Sequence, residues 1–257
     1  MEEKKQLVYD DEELTYLRAW NVSVIQRKSG YRFAVDSLLL AALSNIPKRG
    51  KLIDLGSGSG VLSFIVATRS PGIEVIGVEL QDKLLSMAER GAILNGLADR
   101  VKFVKADLKD LKSIFAPGSF DYAISNPPYW HSKFARTIND EETLLARYEV
   151  ATNMEEVVSV ASYLLKNRGR LAVIYPAKRA VSLLATMRRE RLEPKRMIIV
   201  HAYIDRKAEF VFVEALKGGK EGLDIEPPLI IYSKKNLYRE DFAKLVGIRD
   251  ELVDKGS

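Results

Sequence analysis

The chain has 257 residues, of which 47% are hydrophobic and 29% charged, enough apolar mass for one large α/β domain. It has no cysteine and only two histidines, His131 and His201, which excludes disulfides, zinc ribbons and thiol nucleophiles and argues that no metal is held. No apolar run of about eighteen residues occurs, and Met1-Glu2-Glu3-Lys4-Lys5 does not begin a secretory signal, so a cytoplasmic protein with no membrane partner is expected at its net charge of +5.

Residues 1–13 mix acids and lysines with few apolar side chains and read as a flexible leader. Residues 14–50 follow as a hairpin and helix: Leu17 to Gln26 and Tyr31 to Val35 form the two arms, with Arg27-Lys28-Ser29-Gly30 as the turn. Asp36 then caps a helix over Ser37 to Leu43. From residue 51 to 217, strand and helix patterns alternate as parallel βαβ units require.

The first of these units is Leu52-Ile53-Asp54-Leu55-Gly56-Ser57-Gly58-Ser59-Gly60, an apolar strand running into alternating glycines and then a helix from Val61 to Arg69. Glycine lets the backbone approach a ligand closely beyond the carboxyl end of a strand. A dinucleotide fingerprint would place its third glycine where Val61 stands, so a nicotinamide oxidoreductase fits less well than a nucleoside ligand. Asp54 beside the turn would repel a pyrophosphate yet suits the ammonium and sulfonium of S-adenosylmethionine. Phe33 and Asp36 would lie near its methionine end if their segment packs against the turn, although a core aromatic and a helix cap explain them equally well. The next strand, Ile73 to Val78, ends in Glu79, an acid placed to grip ribose hydroxyls. Asp82 to Leu94 is an amphipathic helix stopped by Asn95-Gly96. Asp107 closes the strand Val101 to Ala106 and is either a helix cap or an acceptor for the adenine amine of the donor.

Phe120 to Ser125 leads into Asn126-Pro127-Pro128-Tyr129. Proline after Asn126 fixes an extended chain and removes a donor, leaving the amide and the following carbonyls free to accept. An exocyclic amine is a poor nucleophile because its lone pair is delocalised into the ring. If the Asn126 side-chain oxygen and the Pro127 carbonyl each accept one of its hydrogens, the nitrogen is drawn towards a tetrahedral shape with its lone pair aimed at a methyl group. Tyr129 supplies a flat face for an extruded base. The polar run from Trp130 to Tyr148, with His131, Arg147 and Tyr148, is long enough to fold over a substrate.

Glu155 to Leu165 and Ala180 to Glu190 read as helices, and Gly169 to Tyr175 as a strand. Met197 to Ala202 and Glu209 to Ala215 are strands joined by a connection too short for a helical crossover, so they should be antiparallel. The fold class is therefore α/β, a doubly wound, seven-stranded, Rossmann-like sheet with an antiparallel last hairpin and an N-terminal hairpin extension. Residues 218–257 form a loop and a small appendage, including Pro228 to Ser233 and Arg239 to Val246. Between Lys166 and Phe210, twelve Lys and Arg face four acids, a surplus that would attract a polyanion.

Over roughly residues 15–217 the chain resembles the class I S-adenosylmethionine-dependent N6-adenine methyltransferases. It is most similar to the bacterial enzymes that methylate the adenosine 3′ of the anticodon in a valine tRNA. The resemblance runs through Tyr31 to Leu40, the Asp54 to Gly60 turn, Glu79, Asp107 and Asn126 to Tyr129, and extends to Ala146-Arg147-Tyr148-Glu149 and Arg206 to Glu214. It implies that Gly56, Gly58, Glu79 and Asp107 bind the donor and that Asn126 and Tyr129 hold the acceptor, with RNA, tRNA in particular, as partner. Val35 stands where the family often has threonine, which removes any hydroxyl contact to the donor there. The same Asn-Pro-Pro-Tyr motif serves enzymes acting on DNA adenine, on guanine N2 of ribosomal RNA and on a protein glutamine amide. The chain shows neither an added DNA-recognition domain nor the sizeable N-terminal helical domain of the glutamine enzymes.

Overall fold

The computed structural model describes residues 7–29, 33, 35–127, 154–235, 237–248 and 252–254. Pro128, Tyr129, His131, Arg147, Tyr148 and the whole run from Trp130 to Tyr148 lie outside them, as do Gly30, Tyr31, Arg32 and Ala34.

Seven long strands form the central sheet: β3 (Arg49–Leu55), β4 (Gly72–Glu79), β5 (Val101–Lys105), β6 (Phe120–Ser125), β7 (Leu165–Pro176), β8 (Leu192–His201) and β9 (Ala208–Lys217). Their order across the sheet is β5-β4-β3-β6-β7-β9-β8, all parallel except β9, which is inserted antiparallel between β7 and β8. Two additional two-residue strands, β10 (Asp224–Ile225) and β11 (Leu229–Ile230), pair with β8 and bring the sheet to nine. Part of the expected appendage therefore belongs to the sheet. The rest, β12 (Tyr232–Lys234), β13 (Leu237–Arg239) and β14 (Val253–Asp254), makes a small sheet of its own.

The period of two along each strand divides the core between the faces of the sheet. Leu52, Tyr122 and Ala172 point to one face, where Leu39 and Leu40 of α1 (Val35–Leu43), Phe64 and Ile65 of α2 (Val61–Arg69) and Ala92 of α3 (Asp82–Leu94) cover them. Ile53, Ala123 and Val173 point to the other. There they meet Leu111 of α4 (Leu111–Ile114), Val157 and Val158 of α5 (Met154–Leu164), and Leu183 and Met187 of α6 (Ala180–Arg189). Each fully buried Leu, Ile, Val, Phe or Met side chain among these is worth roughly 1.5–3 kcal/mol. The appendage is fastened to the first face through Phe242 and Val246 of α7 (Glu240–Val246), both buried.

The N-terminal hairpin is present but displaced from its expected position. Its arms are β1 (Glu12–Leu17) and β2 (Val22–Arg27), paired antiparallel from Glu12↔Arg27 to Leu17↔Val22. The chain reverses through Arg18–Trp20 and Asn21, whose φ of 51° is a left-handed conformation that asparagine accepts more readily than most residues. The turn thus sits at Asn21 rather than at the expected Arg27-Lys28-Ser29-Gly30, whose Arg27 ends β2, and Glu12 and Glu13, read as leader, are strand residues. Glu12 is buried because Arg90 of α3 clamps both its carboxylate oxygens at 2.7 and 2.6 Å. Asn95 completes the attachment, accepting from the Ser23 N–H at 2.7 Å and donating to the Ser23 carbonyl at 2.7 Å.

Candidate active site

In an open α/β sheet the ligand crevice lies beyond the carboxyl ends of the strands where the strand order reverses. Here that point falls between β3 and β6. Their last residues are tied together by the Ser125 hydroxyl, which donates to the Leu55 carbonyl at 2.8 Å. The next residues along each chain are Gly56 and Asn126, so the topology alone brings the glycine turn and the Asn-Pro motif to one place.

The turn is built on backbone hydrogen bonds. The N–H groups of Gly56 and Ser57 donate to the Val78 carbonyl at 3.0 and 2.8 Å, and that of Gly58 donates to Glu79 Oε2 at 2.9 Å. Gly56 and Gly58 have φ of 83° and 55°, and a Cβ added to either would meet nothing within 4 Å. Their side is open to a ligand. Gly60 differs: at φ 87° its Cβ would lie 2.7 Å from Phe64 Cζ and 3.0 Å from Phe103 Cζ, so ring packing also demands a glycine there. The crevice is walled by Phe33, Ser37, Gly56 to Ser59, Val61, Leu62 and Asn126. Of the residues singled out in the sequence, Phe33, Gly56, Gly58 and Asn126 meet there, whereas Asp36, Asp54, Gly60, Glu79, Asp107 and Pro127 are not among the lining residues.

Glu79 ends β4 with its other oxygen accepting from the Gln81 N–H at 2.9 Å. Burial raises its pKa, partly offset by the backbone donors of Gln81, Gly58 and Leu80. Asp54 is fully buried; its Oδ2 accepts from the Ser63 hydroxyl at 2.7 Å and its Oδ1 has no partner among the described residues. Burial pushes its carboxyl up to about 7, opposed by the Ser63 hydroxyl and reinforced by the negative charge of Glu79. Asp107 accepts from the Lys109 N–H at 3.0 Å and caps the 3-10 turn Leu108–Asp110, the helix-cap alternative of its two readings. Asp36 lies within the first turn of α1, not at its cap, and accepts from the Ser37 N–H at 2.7 Å.

Asn126 is held at one end only. Its Nδ2 donates to Ser37 Oγ at 2.9 Å, while its Oδ1 is buried with no partner among the described residues. Four buried side-chain polar atoms are unpaired among those residues; two of them, Ser57 Oγ and Asn126 Oδ1, belong to residues that line this crevice, and a third, Asp54 Oδ1, lies two residues before the glycine turn. A buried polar group without a partner costs about 1–3 kcal/mol, so these atoms are candidates for contact with a ligand. An anion beneath the turn, glycines facing open space and Glu79 beside them suit a donor with a cationic methionine end and a ribose. A second depression of about 530 Å³ lies at the amino ends of the strands around Asp121 and Lys166, which pair at 2.7 Å. It is remote from all of these groups. Among the described residues no three His, Cys, Asp or Glu side chains converge as a metal site, and no helix is long and apolar enough to cross a membrane.

Sequence reasoning missed Ser37, Ser57 and Ser59 as crevice residues. For Ser57 and Ser59 the signal was present, since they alternate with the glycines that were read. Ser37 reads in the sequence only as the first residue of a helix.

The methyltransferase-domain family matches residues 46–240. A tRNA1(Val) (adenine(37)-N6)-methyltransferase of Porphyromonas gingivalis is 27% identical over 223 residues, covering 83% of this chain and 86% of that protein. Another, from Actinobacillus succinogenes, is 27% identical over 217 residues and covers 83% and 88%. Among solved structures, a predicted O-methyltransferase from Agrobacterium tumefaciens superposes with a TM-score of 0.67 at 21% identity, covering 82% of this chain and 95% of that one. P. horikoshii TYW2 in complex with MeSAdo gives 0.58 at 14% identity, covering 82% and 73%. The structural likeness speaks to the fold, and the family match to the class of reaction. The chain belongs to the methyltransferase-domain family, and it is an S-adenosylmethionine-dependent enzyme.

Proposed function

We propose that this enzyme methylates the exocyclic N6 amine of an adenosine in RNA, in a tRNA near its anticodon. The observation that carries the reading is the Asn126 amide oxygen, buried and unbonded among the described residues at the switch point, one residue before a proline. An N–H acceptor in that position suits an amine substrate.

S-adenosylmethionine supplies an electrophilic methyl on a sulfonium. Gly56, Gly58 and Glu79 hold its nucleoside and methionine against the turn, and Asp54 lends negative charge beneath it. Asn126 Oδ1 and the Pro127 carbonyl accept the two amine hydrogens, which turns the nitrogen lone pair towards the methyl. With the donor bound, the methyl would pass from its sulfonium to that nitrogen, the S–C electron pair would stay on sulfur, and the surplus proton of the methylated amine would go to water. Holding three atoms in line supplies several kcal/mol of such a barrier without a covalent intermediate. Tyr129, outside the described residues, is proposed as the stacking face for the base.

Two further observations favour RNA. The tRNA-methylating relatives align over most of both chains. Eight of the twelve cations in the basic stretch also fall into two groups. Arg170 pairs with buried Glu214 at 3.0 Å, Arg196 with Glu226, Arg188 with Glu193 at 3.3 Å and Arg189 with Glu155 at 3.4 Å, and these serve the fold. Lys178 and Arg179 after β7, and Arg206 and Lys207 between β8 and β9, are exposed at the same end of the sheet as Asn126. Cations rimming the mouth of the crevice would meet a phosphate backbone.

Transfer of labelled methyl to bulk tRNA, ribosomal RNA and protein in parallel, followed by nucleoside analysis, tests the reading. N6-methyladenosine in tRNA is the expected product. Label confined to a protein glutamine amide, or to guanine N2 of ribosomal RNA, would replace the substrate while keeping the chemistry.

A further inference from the structure

We propose that Ser37 is the positioning residue for Asn126: its hydroxyl holds the amide nitrogen so that the amide oxygen, not the nitrogen, faces the substrate amine. This rests on the assignment of Asn126 as the group that accepts from that amine. The amide is nearly symmetric in shape, and rotating it by half a turn exchanges an acceptor for a donor with little steric change. A donor aimed at an amine would repel it. Something outside the Asn-Pro motif must therefore hold the productive orientation.

Ser37 is placed to do so. It lies in the first turn of α1, is 4% exposed, and its Oγ is 2.9 Å from Asn126 Nδ2. Its own backbone is pinned because Asp36 Oδ1, itself buried, accepts the Ser37 N–H at 2.7 Å. The result is asymmetric: the nitrogen end of the amide is bonded, and the oxygen end is buried without a partner among the described residues. A reversed amide could still bond the hydroxyl, which donates as well as accepts, but it would turn two N–H donors into the crevice in place of one acceptor; Ser37 therefore holds the amide's torsion, and the substrate amine favours the state with the oxygen facing it. The separation of 89 positions in sequence makes this a tertiary contact that no local motif encodes.

The test is a double-mutant cycle, run on whichever acceptor the labelled-methyl experiment identifies, together with a spectroscopic measurement that needs no acceptor. Losing one hydrogen bond that holds a reacting group should cost Ser37→Ala about tenfold in kcat. Ser37→Thr, which keeps the hydroxyl, should recover most of that loss. In an Asn126→Ala background, Ser37→Ala should cost nothing further, since there is no amide left to orient. An equal loss in both backgrounds would make Ser37 merely structural and overturn the proposal, as would a change confined to donor affinity. The ¹⁵N side-chain amide signal of Asn126, assigned by its disappearance in Asn126→Ala, should show a proton protected from solvent exchange in the wild type and in Ser37→Thr. It should lose that protection in Ser37→Ala, and unchanged exchange there overturns the proposal. Because this readout is independent of substrate, a wrong acceptor assignment and a wrong role for Ser37 give different results.

Discussion

The two walls of the crevice are built on opposite plans. On the β3 side, three successive N–H groups, of Gly56, Ser57 and Gly58, are bonded to the end of β4, and Glu79 is gripped from both sides by Gly58 and Gln81. On the β6 side, one side-chain amide has one end bonded and the other unpaired among the described residues. A cradle of backbone donors keeps its shape because the sheet fixes it. A lone amide keeps its function only while its torsion is held. The donor wall should therefore fail gradually and the acceptor wall abruptly.

The largest expected effect follows from the acceptor wall. Asn126→Ala should lower kcat by about 10²–10³ at saturating donor, the usual cost of removing one preorganised hydrogen-bonding group from a reacting centre. Donor affinity, measured by calorimetry, should survive, and full activity in this variant would end the assigned role. The donor wall should respond differently to its own glycines. Gly58→Ala puts a methyl into the ligand space at φ 55° and should weaken donor binding by roughly ten- to a hundredfold while leaving some turnover at saturation. Gly60→Ala drives its Cβ into Phe64 and Phe103 instead, and should cost about 1–3 kcal/mol of stability, read as a lower Tm. If Gly60→Ala harms donor binding more than Gly58→Ala does, the assignment of the two glycines to different tasks is reversed.

The same contrast explains what could be read from the sequence. Elements punctuated locally were legible to the residue: Val61–Arg69 after the glycines, Asp82–Leu94 before Asn95-Gly96, and Phe120–Ser125 before the prolines. The hairpin was misplaced because β1 carries Leu14 and Tyr16 outward and buries an acid, an inversion that makes sense only once Arg90 is beside Glu12. β10 and β11 are two residues long, too short to leave a periodic trace. In the site, the glycines, Glu79 and Asn126 announce themselves because their backbone setting is local. Ser37 does not, because a serine means nothing until its partner from β6 arrives.

Asp54 offers the smallest effect and the one whose sign is most sharply set. Its carboxyl sits at about 7 rather than its ordinary 3.8 because it is buried, and Glu79 adds repulsion. Between pH of about 4 and about 7 the folded chain without donor keeps a proton on Asp54 that the unfolded chain has released. The contribution of this group to stability therefore falls as pH rises through that window and is level above it. A donor bearing an ammonium and a sulfonium favours the ionised form, so binding should expel the proton. If only ionised Asp54 binds, affinity at pH 6 should be about tenfold weaker than at pH 8. Titration calorimetry in two buffers of different ionisation enthalpy should show proton release near pH 6, and Asp54→Asn should flatten the profile. Equal affinity at both pH values in the wild type would mean that the charge beneath the glycine turn is not sensed by the donor, and the turn would then bind through backbone geometry alone.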